Sequence, residues 1–349
     1  MFFLGPSEYN QQMRDYPIGG LSEACIGVSE LLPQIQYWER FGYHVDRIGG
    51  LGAEEAARLY GVESSFRAVR LGHLDADHGY IRLMEWAEPV NDGLGLAPLR
   101  CLGSRWLAQM TANLLDLVNH VVEATKAGLP LRYCEPIWDV IYHEEQPRGR
   151  PFHDPMVGAR EMFLLQPLAR QIFFERFNYV IQKYGKLNYS CLFQTSQAAH
   201  FGIVTEGDIE ELDFYEDTLG LLRVRNNIEH NYEVAAGREM FELKPGERFF
   251  VTDFDDPRSS TEFREMRSGR LQVFRFPKGS GLRDCHELSR PGSLGFSLYT
   301  YRVNDLAAFR ERITASAARD VTEIFVNEFG EQSFSFIAPD GYFWTLIED

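Results

Sequence analysis

The sequence predicts an α+β fold made of one repeated unit, and three observations carry that prediction. The first is an order of elements. LSEACIGVS, from Leu21, reads as a strand, and LLPQIQYWERFGYHV then places Leu32, Ile35, Trp38 and Phe41 at helical spacing. Two further strand-like runs, SFRAVRLGH and GYIRLMEW, follow. The second is that this order returns at His200. Glu23 stands as far before Tyr37 and Trp38 as His200 does before Phe214 and Tyr215, and GRLQVFRF then parallels GYIRLMEW. The third is the chain's ending, APDGYFWTLIED. There Pro339 presets φ and Gly341 accepts a positive φ, so the segment turns tightly between two strands.

Taken in order, residues 1–19 form a polar arm and the first helix stops at Gly42. A second, looser copy opens at RWLAQMTANLL, takes DLVNHVVEATKAG as its helix and closes with REMFLLQP and RQIFFERF. The third copy starts at His200, and its acidic run EGDIEELDFYED reads as the solvated face of a helix. The fourth runs from GFSLYTY through the helix DLAAFRERITASAA to the terminal hairpin. Four units in a 349-residue chain predict two paired modules per half, residues 20–180 and 188–349, with the boundary at Asn178–Asn188. The long loops 132–158 and 225–247 are expected to act as lids or rims, and they bring His143 and His153 into consideration.

Composition narrows the partners. With 51 acidic against 35 basic residues the formal charge is -16, which repels nucleic-acid backbones and acidic membrane surfaces. The five cysteines are scattered, with no C-x-x-C pair, so a reducing compartment is expected and zinc clusters and disulfide scaffolds are not. The first residues carry no basic leader, and no run of 18 apolar residues occurs. A cytoplasmic protein is predicted, a monomer or homodimer with a small-molecule ligand.

The strand–helix pairs, FYEDTLG and the closing APDGYFWTLIED resemble the modules of the vicinal oxygen chelate superfamily, which includes glyoxalases, bleomycin-resistance proteins and extradiol dioxygenases. The resemblance covers about residues 20–349. It implies four βαβββ modules paired into two curved mixed-sheet domains, each around a cavity. It also implies metal ligands at the start of each module's first strand and in the middle of its last. Carried onto this chain, those positions are His200 and Gln272 in the third copy, Gly295 or Phe296 and then Thr345 in the fourth, and Glu23 and Arg82 in the first. The second copy offers Leu107 or Gln109, then Phe173. Thr345 stands where the family usually keeps a Glu.

Strand alternation then expects Trp86, Phe274, Phe276 and Phe343 to line the cavities, with Phe296 beside them. Such a wall suits a flat apolar or aromatic ligand. Three functions stay open. One is an acid–base enzyme of lyase or isomerase type, in which His200 moves a proton, Gln272 orients it and Thr345 bonds the substrate. Another is a ring-cleaving Fe(II) dioxygenase with rearranged ligands; the resemblance implies a divalent metal (Fe, Mn or Zn), with His200 the candidate ligand. The third is a non-catalytic binding or sequestering protein. Glu23 and Arg82 are expected as a buried ion pair that either orients substrate or is purely structural. Cys25 is read as packing rather than as a nucleophile.

Overall fold

A computed structural model of the chain describes residues 16–140, 152–259 and 266–349. Module one consists of β1 (Ile18–Val28), α1 (Leu31–Glu39), β2 (Tyr43–Leu51), α2 (Ala53–Tyr60), β3 (Phe66–His73) and β4 (Tyr80–Trp86). Module two has β5 (Arg105–Thr111), α3 (Leu114–Lys126), β6 (Arg132–Tyr133), β7 (Ile137–Val140), β8 (Gly158–Leu165) and β9 (Arg170–Phe177). Module three has β10 (Thr195–Glu206), β11 (Leu222–Asn231), β12 (Arg248–Asp255) and β13 (Arg270–Phe276). Module four has β14 (Gly295–Val303), α4 (Leu306–Thr314), β15 (Phe325–Val326), β16 (Gln332–Ile337) and β17 (Phe343–Glu348). In every module the first strand pairs in parallel with the last.

Helices α3 and α4 start where a side chain satisfies an open backbone N–H. Asn113 accepts from the Asp116 N–H at 3.1 Å and Asp305 from the Ala308 N–H at 2.9 Å. Along α3, Leu114, Leu117 and Val121 repeat at helical spacing and are buried. The acidic run of module three forms a 3-10 turn at Ile209–Leu212 and a π turn at Phe214–Thr218 instead of a regular α-helix. Of the expected N-terminal arm, residues 1–15 lie outside the described residues, and Ile18 and Gly19 already belong to β1.

The modules form two mixed sheets. The first has the order β15-β16-β17-β14-β1-β4-β3-β2, and the second β11-β12-β13-β10-β5-β9-β8-β6, with β7 on β8. Module one therefore partners module four, through antiparallel β1 and β14, and module two partners module three, through β5 and β10. This corrects the contiguous halves 20–180 and 188–349 expected from chain order. The physical reason lies in edge matching, which chain order does not specify: the open side of β1 meets β14, and that of β5 meets β10.

Two seams hold the sheets together. At one, Tyr342 at the start of the last strand reaches the second sheet, where its hydroxyl accepts from the Val204 N–H at 3.0 Å and donates to the Val204 carbonyl at 2.8 Å. The Tyr299 hydroxyl bonds the Trp106 carbonyl at 2.8 Å, and the Arg105 guanidinium lies over the Tyr342 and Tyr299 rings. At the other seam the Tyr43 hydroxyl accepts from the Ala198 N–H at 2.9 Å, and His73 Nε2 stands 3.1 Å from the Thr195 carbonyl oxygen. That geometry suits a neutral ring donating from Nε2.

Burial pushes the His73 imidazole down to about 4, below its ordinary value. Between about pH 6.5 and 4 the unfolded chain therefore binds more protons at this residue than the folded one, and stability falls as pH falls. The loss expected at pH 5 is about 2 kcal/mol from this histidine. Urea titrations at pH 5 and 7 check it: His73→Gln keeps a donor for Thr195 and should reduce the difference between the two curves.

Candidate functional site

Each sheet has an inner face, and the two are occupied differently. In the first sheet, β1 turns Glu23 and Cys25 inward, β4 turns Arg82, Met84 and Trp86, and β14 turns Leu298 and Thr300. Helix α2 fills much of this space. Its Ala56, Leu59 and Tyr60 pack with Trp86, Phe343 and Met84 in one apolar cluster. Phe66 stacks obliquely on Trp86, with ring centroids 4.5 Å apart. Trp86 and Phe343 thus contact protein where the sequence reading expects them to contact a ligand, and both are buried.

Glu23 and Arg82 are fully buried and bonded to each other. Arg82 also donates to Glu328 at 2.9 Å and to the Tyr60 hydroxyl at 3.0 Å. Arg70 pairs with Glu23 and, in bidentate fashion, with Glu331 at 3.0 and 2.7 Å. Burial would raise the Glu23 carboxyl, but Arg70 and Arg82 hold it below the usual carboxylate range. Thr300 donates to Glu23 at 3.1 Å, and Thr345 bonds the Ser335 hydroxyl at 2.8 Å. The charged inner positions of this sheet are paired within the protein, while Arg82 Nε and Trp86 Nε1 are buried without a hydrogen-bond partner among the described residues. At its end a polar cleft of about 290 Å³ opens beside Ser22, Arg70, Tyr80, Arg302 and Glu331.

Phe296 departs from the alternation. A bulge between Cys25 and Ile26 leaves Phe296 opposite Ile26, in the core on the other face of the sheet. Thr300 takes the inward position on this strand. Cys25 is fully buried, and burial pushes its thiol well above the ordinary value, which removes it as a nucleophile.

The second sheet encloses an open hollow of about 200 Å³. His200 and Gln272 both line it, from β10 and β13. Thr345, expected to act with them, lies on β17 of the other sheet, so the three do not form one site. Phe274 lines the hollow, whereas Phe276 is fully buried beside Phe249, whose ring centroid is 5.5 Å away. In module two the expected positions face away. Gln109 bonds Gln171 at 2.9 Å, and Phe173 stacks on Phe41 with centroids 5.5 Å apart, towards module one. Leu107 is fully buried. The strand is one residue out of the expected phase, so Ala108, Ile172 and Phe174 share the inner face with His200.

Polar groups gather on one side of the hollow. The Tyr184 hydroxyl and His200 Nδ1 are 2.8 Å apart, and the imidazole stacks on Phe174 with centroids 5.5 Å apart. Burial, with Arg270 and Arg225 adding to it, pushes His200 down to about 3, so the ring is neutral near pH 7. His230, flat against Phe249, is likewise lowered to about 4 by burial and Arg225. Gln272 donates to Asp253 at 3.2 Å, and Asp253 also takes Arg225 at 2.5 Å and Arg270 at 2.8 Å. Burial would raise Asp253, yet the two guanidiniums hold it low. His230, Arg176, Arg225 and Tyr184 were not singled out from sequence. His143, in the expected lid, lies outside the described residues, and His153 is exposed.

The donor set does not fit the divalent metal that the resemblance implies. The first sheet's inner positions hold the paired Glu23 and Arg82 with Thr300 and Thr345. The second offers the His200 and His230 imidazoles, the Gln272 amide and Glu161 on the wall of the hollow, beside the Arg176, Arg225 and Arg270 guanidiniums, which repel a cation. Among the described residues no group of three or more His, Cys, Asp or Glu side chains could hold a metal ion.

No family model matches the sequence, and no curated protein matches it either. Solved structures do. Glyoxalase I from Zea mays superimposes with a TM-score of 0.53 over 94% of this chain and 92% of its own, at 14% identity. A Bacillus subtilis protein assigned as a dioxygenase gives 0.54 over 95% of this chain and 86% of its own, at 12% identity. The chain has the vicinal oxygen chelate fold. At these identities the likeness concerns architecture, and a vicinal oxygen chelate fold hosts more than one chemistry. Among the described residues no helix is long and apolar enough to cross a membrane.

Proposed function

We propose that this chain binds a small ring-bearing molecule in the hollow between modules two and three, without a bound metal, as a binding or sequestering protein of its fold. The observation that carries the reading is the contrast between the two inner faces. One is filled by α2 and a closed ion-pair network, while the other keeps a space of about 200 Å³ walled by Phe174, Tyr184, Phe249 and Phe274. That volume lies below the roughly 300–1,000 Å³ of drug-sized pockets and suits a molecule of one or two rings.

His200 enters this reading as a neutral hydrogen-bonding group rather than a general base. A ring lowered to about 3 takes up a proton too weakly to serve near pH 7. With Tyr184 donating to Nδ1, the proton of the imidazole sits on Nε2.

The same contact favours a second reading, an enzyme of lyase or isomerase type in which that N–H polarises a substrate oxygen. Incubation of the purified chain with a panel of small aromatic compounds, followed by mass spectrometry of what is retained, separates the two. Recovery of the ligand unaltered supports binding; turnover that is lost in His200→Gln supports the enzyme. Phe274→Ala is expected to weaken retention about tenfold. Binding abolished by a chelator and restored by a divalent metal would overturn the metal-independent reading.

A further inference from the structure

Charge at the hollow narrows the ligand further. Asp253 and Asp255 sit among Arg225 and Arg270: Arg270 takes both Asp255 oxygens at 2.6 and 2.9 Å and Asp253 at 2.8 Å, and Arg225 takes Asp253 at 2.5 Å. Two carboxylates thereby meet two guanidiniums. Arg176 is different. It lines the same hollow, its Nη1 donates to the Tyr184 carbonyl at 3.1 Å, and its guanidinium lies over the rings of Phe174, Tyr179 and Tyr184 at 5.0–5.6 Å. Among the described residues it has no carboxylate partner. Burial lowers its affinity for its proton, and the influences that oppose this come from tyrosines alone.

We infer that the ligand of this hollow is a small aromatic monoanion, a ring carrying a carboxylate or an equivalent ionised oxygen, whose charge is balanced by Arg176 with Arg225 beside it. This rests on the reading that the hollow is the binding site. The aromatic walls receive the ring; the hollow is lined by the Arg176, Arg225 and Arg270 guanidiniums and two uncharged imidazoles, with Glu161 as the carboxylate on its wall, and this set accepts a negative group at less cost than a further cation. The inference also accounts for a cation held mainly on aromatic faces: its Coulombic partner arrives with the ligand.

Calorimetric titration of the full chain with benzoate and 2-naphthoate, against the corresponding aryl alcohols and arylmethylamines, tests it at low and moderate salt. Each carboxylate should bind at least tenfold tighter than its alcohol and its amine, with the preference shrinking as salt rises. Arg176→Gln should remove most of that preference while leaving the alcohols' affinity within about twofold. Arg225→Gln should have a smaller effect in the same direction. Alcohols binding as tightly as carboxylates, or a carboxylate preference unchanged in Arg176→Gln, overturns the anion inference and leaves the hollow as a binding site. Failure of every probe to bind the unmodified chain overturns the proposed function and this inference with it. The ranking of probes on the unmodified chain decides the matter even where a variant does not fold.

Discussion

Arg82→Ala should destabilise the chain by about 3–5 kcal/mol, because it strands buried carboxylates rather than because it removes contact area. Arg82 is completely buried and bonds Glu23 on one side and Glu328 on the other, and Tyr60 from α2 donates to Glu328 at 2.8 Å. Without the guanidinium, Glu328 retains only that hydroxyl, and Glu23 keeps Arg70 and Thr300. Both carboxyls then rise towards protonation, and α2 keeps only the Tyr60–Glu328 bond as its polar anchor over the inner face. Urea unfolding followed by tryptophan fluorescence reads the effect, since Trp86 lies in the cluster that α2 covers. Arg82→Met combined with Glu23→Gln and Glu328→Gln should recover most of the loss, since apolar and neutral groups tolerate burial better than unpaired charge. A change below about 1 kcal/mol in Arg82→Ala would mean that water reaches this network and that the first sheet's inner face is open.

The repeat was legible because strand alternation and helical spacing are local properties. Arg82, Met84 and Trp86 share one face of β4, and Gln272 and Phe274 share one face of β13, as period two requires. What the local pattern does not encode is which module meets which. The pairing of Glu23 with Thr300 across β1 and β14 joins segments 277 residues apart, and nothing in either segment names its partner. Two smaller departures have definite causes. The bulge beside Ser297 turns Phe296 to the opposite face, and a bulge adds a residue without leaving a compositional mark. In module two, Trp106, Ala108 and Ile172 are as apolar as the residues on the other face, so hydrophobicity alone does not set the phase of these doubly buried strands.

Helix α2 is a different case, because its signal was present. AEEAARLYG places two acids in the first turn, an Arg in the last and Gly61 at φ 71° just past the end. That helix decides which hollow stays open, so the candidate site depended on an element of eight residues inserted between two strands. The cationic side of the open hollow was hidden for another reason. Arg176, Arg225 and Arg270 come from three strands of two modules and meet only once the second sheet is assembled.

Tyr342→Phe is expected to cost about 2–4 kcal/mol without changing either inner face, since it removes one oxygen and no ring. That hydroxyl accepts from the Gly103 N–H at 3.1 Å and the Val204 N–H at 3.0 Å, and it donates towards the Val204 or Ser104 carbonyl at 2.8 and 3.1 Å. It joins the closing hairpin of module four to the first strand of module three and to the start of module two. Removing it leaves two amide donors unpartnered in a place that water does not reach, because Tyr342 is fully buried. The ring's contact with Arg105, at 4.8 Å, survives the change, which isolates the hydrogen bonds as the cause. Two measurements check it. The unfolding midpoint should drop, and the Val204 and Gly103 amides should exchange with solvent faster while amides in the middle of each sheet do not. Loss of the bridge should also loosen the coupling between sheets, so that urea unfolding broadens or divides into two steps. An unchanged midpoint with unchanged exchange at those two amides would show that the remaining contacts, those of Tyr299 and Arg105 at this seam and of Tyr43 and His73 at the other, carry the attachment without the Tyr342 hydroxyl.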